Sequence, residues 1–190
     1  VLNRTSQKKG YAKSEGLEGR LLERRIFTQH LADGHEKKNV RKGQVGMQHD
    51  HYNPDYLRTI LTKVETIALL GASPNPARPS HGVMRFLLAK GYHVIPVNPG
   101  QAGKEILGQK AYARLSDIPE PVDMIDVFRA PEYLSDVVEE AILLPERPAV
   151  LWGQLSVRDD DAAAKAESYG MDVVMDRCPA IEYPRLNIKR

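Results

Sequence analysis

A five-residue apolar run, Thr66-Ile67-Ala68-Leu69-Leu70, passes directly into Gly71 and then into a loop stiffened by Pro74, Pro76 and Pro79 before a helical pattern begins at Ser80. No other stretch constrains the chain as much. An unbroken apolar run of this length is the mark of a strand buried on both faces, which implies a parallel sheet covered by helices. A glycine directly after it lets the backbone turn tightly and approach a ligand with no side chain in the way. The N–H groups of the following helix, at the positive end of its dipole, then face whatever the loop encloses. This is the architecture of a phosphate cradle.

The loop lacks the three closely spaced glycines of a dinucleotide fingerprint, since Gly71 has no further glycine until Gly82. It also lacks the Gly-Lys-Ser/Thr ending of a Walker A loop. In their place stand Ser73, Asn75, Arg78 and Ser80, all hydrogen-bond donors, with Arg78 carrying a fork that fits phosphate oxygens. The plainer reading is a solvated turn with Ser80 capping the helix. The second strand, His93-Val94-Ile95-Pro96-Val97, ends at Asn98-Pro99-Gly100. An NAD site usually has an acid at this tip to bond the adenosine ribose. A neutral tip tolerates a phosphorylated ribose instead.

The remaining chain alternates strand and helix. A lead-in helix is expected over Pro54 to Lys63, a helix over Ser80 to Lys90 ended by Gly91, and a third strand over 122 to 127. Pro131 opens a helix to about Leu144, Ala149 to Trp152 forms the fourth strand, Asp159 to Ala166 a helix, and Met171 to Met175 the fifth strand. The fold class is therefore α/β, a Rossmann-like doubly wound parallel sheet of about five strands. Ligands in such sheets bind at the carboxyl ends of the strands, where Gly71, Asn98, Phe128 and Trp152 fall.

Three ordered runs carry a family resemblance: Gly71-Ala72-Ser73-Pro74-Asn75-Pro76-Ala77-Arg78-Pro79-Ser80, then Pro96-Val97-Asn98-Pro99, then Val122-Asp123-Met124-Ile125-Asp126-Val127-Phe128-Arg129. Trp152 and Gln154, Val173 to Cys178, and Glu182 with Arg185-Leu186 add to them. The chain from about Pro54 to Leu186 resembles the stand-alone CoA-binding proteins of bacteria and archaea, and the CoA-binding domain of the succinyl-CoA synthetase alpha subunit. Family members often carry Gly where this chain has Ser156. The resemblance implies a protein that binds CoA or a short acyl-CoA and has no evident catalytic machinery of its own. Expected ligand contacts come from Gly71, Ala72, Ser73, Asn75, Arg78, Ser80, His81 and Gly82, from Val97, Asn98 and Pro99, and from Phe128, Arg129 and Trp152. Phe128 and Trp152 either stack on an adenine or pack into the core. The alternatives are an NADP-dependent oxidoreductase and a CoA-binding subunit of an acyl-CoA synthetase-like complex.

Charge divides the chain. Residues 1–46 hold 11 Lys/Arg and 5 Asp/Glu, a balance of +6, which leaves 16 basic and 20 acidic residues, or −4, in 47–190. The expected domains are thus a basic, disordered extension over 1–48, in which only Leu21 to Phe27 has helical periodicity, and a ligand-binding domain over 49–190. A mildly acidic domain does not suggest a nucleic-acid partner. The single cysteine rules out an internal disulfide, and no apolar run approaches the ~20 residues of a membrane span, so a cytoplasmic protein is expected.

Four further features have plain readings. His49-Asp50-His51 reads as solvated loop rather than a metal site, and Asp159-Asp160-Asp161 as a first helical turn matched to the helix dipole. Asp123 and Asp126, three apart in a strand, point to opposite faces and cannot act as a pair. Cys178 reads as an inert core thiol, although Arg177 beside it could favour the thiolate.

Overall fold

The computed structural model describes residues 48–190; the expectations of a disordered extension and of a helix at Leu21 to Phe27 lie outside the described residues. Five strands form one parallel sheet: β1 (Thr66–Leu70), β2 (His93–Val97), β5 (Met124–Val127), β6 (Val150–Gly153) and β7 (Asp172–Val174), in the order β2-β1-β5-β6-β7. Between β2 and β5 the chain makes a small separate hairpin, β3 (Glu105–Ile106) and β4 (Gln109–Lys110). Leu107 and Gly108 at its turn both have positive φ, a turn that Asn-Gly normally announces. With Leu in the first place, no sequence signal marked it.

Residues of β1 alternate between two apolar layers, and both are sealed. Ile67 and Leu69 pack with Met124, Trp152 and Val174 under α1 (Pro54–Lys63), α2 (Pro79–Ala89) and α5 (Pro179–Arg185). Ala68 and Leu70 pack with Ile125, Val127 and Leu151 under α3 (Leu134–Ile142) and α4 (Asp160–Ser168). Ala162, Ala163 and Ala166 make up the buried face of α4, and their small size lets it lie close on the sheet. The structure thus has the Rossmann-like α/β fold, with α5 as an additional helix, packed against α1 and α2, that the short, Pro184-interrupted segment did not announce.

Local chemistry sets the ends of the elements. Asn53 caps α1 by accepting from the Asp55 N–H, and Asp159 caps α4 by accepting from Asp161 and Ala162. Two elements start two or more residues later than expected, the other starts falling within one residue. β5 starts at Met124, and Asp123 just before it still joins the neighbouring strand: its N–H donates to the Thr66 carbonyl at 2.9 Å and its carboxylate accepts the Glu65 and Thr66 amides at 3.0 and 2.9 Å. Pro131 to Tyr133 forms a 3-10 turn, and α3 begins only at Leu134.

Both rims of the sheet are closed. At β2, Pro96 has no N–H, its carbonyl accepts from Tyr112 at 3.0 Å, and the Tyr112 carbonyl accepts from Asn98 at 2.8 Å. At β7, two tyrosines act in place of a neighbouring strand. The Tyr52 hydroxyl accepts from the Met175 N–H at 2.6 Å, and the Tyr56 hydroxyl donates to the Val173 carbonyl at 3.4 Å. The two rings stack at 6.2 Å. His49 follows them into the structure: it is buried, with Nδ1 2.9 Å from the Tyr52 hydroxyl and Nε2 3.6 Å from Glu167, and burial pulls its pKa down. The reading of His49 as solvated loop is corrected by that packing.

One carboxyl lies wholly inside. Asp126 of β5 has no exposed surface and receives the Gln154 amide at 2.8 and 3.1 Å; burial pushes its pKa up to about 7, against the pull of that hydrogen bond.

Two outcomes are expected. Tyr52→Phe leaves the Met175 N–H at the rim without its acceptor, costing about 1–2 kcal/mol in denaturant unfolding and speeding hydrogen exchange at Met175. For Asp126, the folded form holds its proton more tightly than the unfolded chain, so its favourable contribution is full below about pH 4 and is lost as pH rises through about 7. Asp126→Asn removes that decline, and a melting-temperature profile between pH 4 and 8 that is flatter than the parent's is the check.

Candidate functional site

The sheet reverses direction between β1 and β5, because β2 lies to one side of β1 and every later strand of the sheet to the other. At such a switch point the loops leaving the two strands diverge and open a crevice above the carboxyl edge. Gly71 leaves β1 with φ +83°, and a Cβ added there would stand 3.2 Å from the backbone carbonyl and Cβ of Phe128, the residue that leaves β5. Only a glycine lets the two exits approach this closely. Gly71 donates its N–H to the Val97 carbonyl at 3.0 Å, and Phe128 donates to the Leu70 carbonyl at 2.9 Å, so three strands are tied at their ends.

The first loop is shaped by its own short polar side chains. Ser73 Oγ accepts from the Asn75 N–H at 3.2 Å, Asn75 Oδ1 accepts from Ala77 at 2.9 Å, and the Asn75 carbonyl accepts from Arg78 at 3.0 Å. Asn98 fastens this loop to the second. Its Nδ2 donates to the buried Ala72 at the carbonyl, 2.8 Å away, while its Oδ1 accepts from Gly100 at 2.9 Å. Asn98 thus holds the crevice open at a set width, a role that an acid could not fill since it has no N–H to give.

Arg78, not Ser80, takes the cap position of α2, and no side chain caps the first turn. Ser80 and His81 are buried within that turn, and His81 Nδ1 has no hydrogen-bond partner among the described residues. Arg78 is exposed, and its guanidinium has no ion-pair partner among the described residues. Gly82 follows one residue on with open space around it. A first helical turn that no side chain caps, an exposed guanidinium and a buried imidazole nitrogen without a partner among the described residues therefore stand together at the start of α2.

The other expected contacts divide. Val97 is buried under the edge, with Pro99 exposed at the β2 tip. Phe128 is half-buried and packs against the core, and Arg129 is exposed. Trp152 is corrected: it has no exposed surface, and its Nε1 donates to the Arg177 carbonyl at 2.7 Å, so the indole is a core wedge with no face to offer a ligand. Tyr133, which the sequence did not single out, is 43% exposed and lies with its ring 4.5 Å from the Arg129 guanidinium. Nothing in the sequence showed that Pro131 to Tyr133 would turn back toward Arg129.

Cys178 is buried at the start of α5, and burial pushes its thiol pKa up, with the Asp126 and Glu182 carboxylates adding to the rise. The burial agrees with the reading of Cys178 as a core thiol, and Arg177 does not favour the thiolate. That guanidinium donates instead to the carbonyls of Asp176 and Asp50, at 2.7 and 2.9 Å, and lies over the Tyr52 ring. Asp126 bonds Gln154 inside the sheet and Asp123 lies before the strand, so the two acids do not meet. Ser156 has φ +65°, the left-handed region that a glycine would occupy without strain, and its N–H donates to Asp176 at 2.7 Å. Among the described residues no helix is long and apolar enough to cross a membrane, and no cluster of His, Cys, Asp and Glu could hold a metal ion.

Residues 65–184 match the model of a family described as CoA binding domain. The chain is 37% identical over 122 residues to the uncharacterized protein YneT of Bacillus subtilis (strain 168), covering 64% of this chain and 87% of that one. Two solved structures are similar along their whole length. A Thermus thermophilus protein, cell-free ID.343, has 43% identity and a TM-score of 0.67, covering 71% of this chain and 99% of its own. A hypothetical protein from Pyrococcus horikoshii OT3 has 36% identity and a TM-score of 0.69, covering 77% of this chain and 100% of its own. The matched span runs from the start of β1 through the crevice to α5, and on it the chain belongs to the CoA binding domain family.

Proposed function

We propose that this chain binds CoA or a short acyl-CoA at the β1/β5 crevice and acts as a ligand-binding module rather than as an enzyme. One observation carries the reading: the loop that leaves β1 at Gly71 ends in a helical turn that no side chain caps, with Arg78, exposed and without an ion-pair partner among the described residues, at the cap position. The helix dipole and a forked cation together favour a phosphate group. Membership in the CoA binding domain family supports CoA as its bearer.

Two details favour CoA over a dinucleotide. The β2 tip holds Asn98, neutral and already committed to Ala72 and Gly100, where an NAD site places an acid on the ribose. The loop offers Ser73, Asn75 and Arg78 where a dinucleotide site offers glycines. A binding role fits the chemistry nearby as well. Asp126 and Cys178, the groups best suited to proton or covalent chemistry, are both buried, and Asp126 is bonded to Gln154 inside the sheet. The proposed contacts are Gly71, Ala72, Ser73, Asn75, Arg78, Ser80 and His81 on the phosphate side, with Asn98 as the residue that positions the loop.

Calorimetric titration of CoA, NADP and NAD in parallel is the direct test, with CoA expected to bind tightest. NADP binding at equal or greater strength would instead indicate the oxidoreductase alternative. Arg78→Ala is expected to weaken CoA binding by about 1.5–3 kcal/mol, the range for a hydrogen bond to a charged group, and to leave the melting temperature within about 1 °C, since the side chain is exposed. Unchanged affinity would make Arg78 a surface charge.

A further inference from the structure

Resting on the CoA reading, we infer that Arg129 and Tyr133 form the stacking platform for the adenine ring of the ligand. Trp152 cannot serve, because it is enclosed on every side, and Phe128 is turned into the core. At the carboxyl end of β5 the chain then presents a different planar surface. Arg129 directly follows Phe128, the residue in contact range of Gly71, and so stands at the mouth of the crevice.

The turn that follows brings a ring back beneath it. The Ala130 carbonyl accepts the Tyr133 N–H at 3.0 Å, and the Tyr133 ring ends 4.5 Å from the guanidinium carbon. Both residues are exposed, and no carboxylate pairs with Arg129 among the described residues. A guanidinium held against a tyrosine ring has one face supported and the other open. Such planes take nucleobases well: the flat cation stacks on the π system, while Tyr133 limits the rotamers that would otherwise be lost on binding. The platform also suits the rest of the ligand: Arg78 and Arg129 stand on the loops that leave β1 and β5, two adjacent strands, so a purine diphosphate with its phosphates at Arg78 would set its base toward Arg129.

The experiment measures three ligands, CoA, adenosine 3′,5′-bisphosphate and 4′-phosphopantetheine, by calorimetry on the full chain and on Tyr133→Leu and Arg129→Lys. Arg129→Lys keeps the charge and removes the plane. Stacking predicts that both variants lose about tenfold in affinity for CoA and for the bisphosphate, and bind 4′-phosphopantetheine, which has no base, as the parent does. Circular dichroism melting checks that the variants remain folded, as expected for exposed positions. Full retention of CoA affinity in Arg129→Lys, or an equal loss for 4′-phosphopantetheine, would overturn the platform and leave Arg129 as a phosphate contact. Should the parent bind the bisphosphate with the predicted sensitivity but not CoA, the platform stands and the CoA reading fails. Binding of no adenine compound by the parent overturns both.

Discussion

The approach of β1 to β5 at Gly71 governs the carboxyl edge of this molecule. Two strand exits at van der Waals contact, with no side chain between them, make the backbone itself the floor of the crevice. Everything that faces a ligand there is placed relative to that floor: the first turn of α2 on one side, Arg129 on the other, and Asn98 across the loop between them. A methyl group at position 71 would have to take a left-handed conformation and press on the Phe128 backbone at once. Accommodating it would take a strained backbone at 71 and a shift of a few tenths of an ångström at Phe128, so the geometry of the crevice and the pairing of β1 with β5 are linked.

Polar groups inside the sheet are handled in pairs. Asp126 finds Gln154 one strand away, and Glu182 finds Arg185 one turn along α5. Burial without such partners would cost several kcal/mol for an ionised carboxylate, and the raised pKa of Asp126 shows how part of that cost is avoided by holding a proton. The same enclosure pushes the Cys178 thiol pKa up. Both groups are buried, whereas Arg78 and Arg129 are exposed.

Much of this was legible before the structure. Each of the five main strands carries an apolar stretch, interrupted in β5 by the buried Asp126, and Gly71 and Gly91, both with positive φ, marked where the chain turns. Less legible was anything that depends on a partner distant in sequence. Trp152 read equally as a stacking ring or a core wedge, because what decides between them is the Arg177 carbonyl, 25 residues on. His49 looked solvated since Tyr52 and Glu167 bury it, and Arg177 looked poised to act on Cys178 because adjacency in sequence does not tell which way a strand end turns its side chains. Asn98 was read as a ligand contact; in the structure it spends both ends of its amide on the protein, a use that only the fold reveals.

The closed rims of the sheet set a limit on how copies of this molecule can meet. With Pro96 and Tyr112 blocking one side and the Tyr52 and Tyr56 hydroxyls occupying the other, neither outer strand offers a run of vacant amides to a neighbour. Growth of the sheet from molecule to molecule, the common route from a parallel α/β core to fibrillar assembly, is thereby interrupted at its first step. Because the seal at β7 is made by residues that precede β1 in the chain, it draws the lead-in segment past β5 and β6 to the far rim and joins the first described residues to the last strand of the sheet.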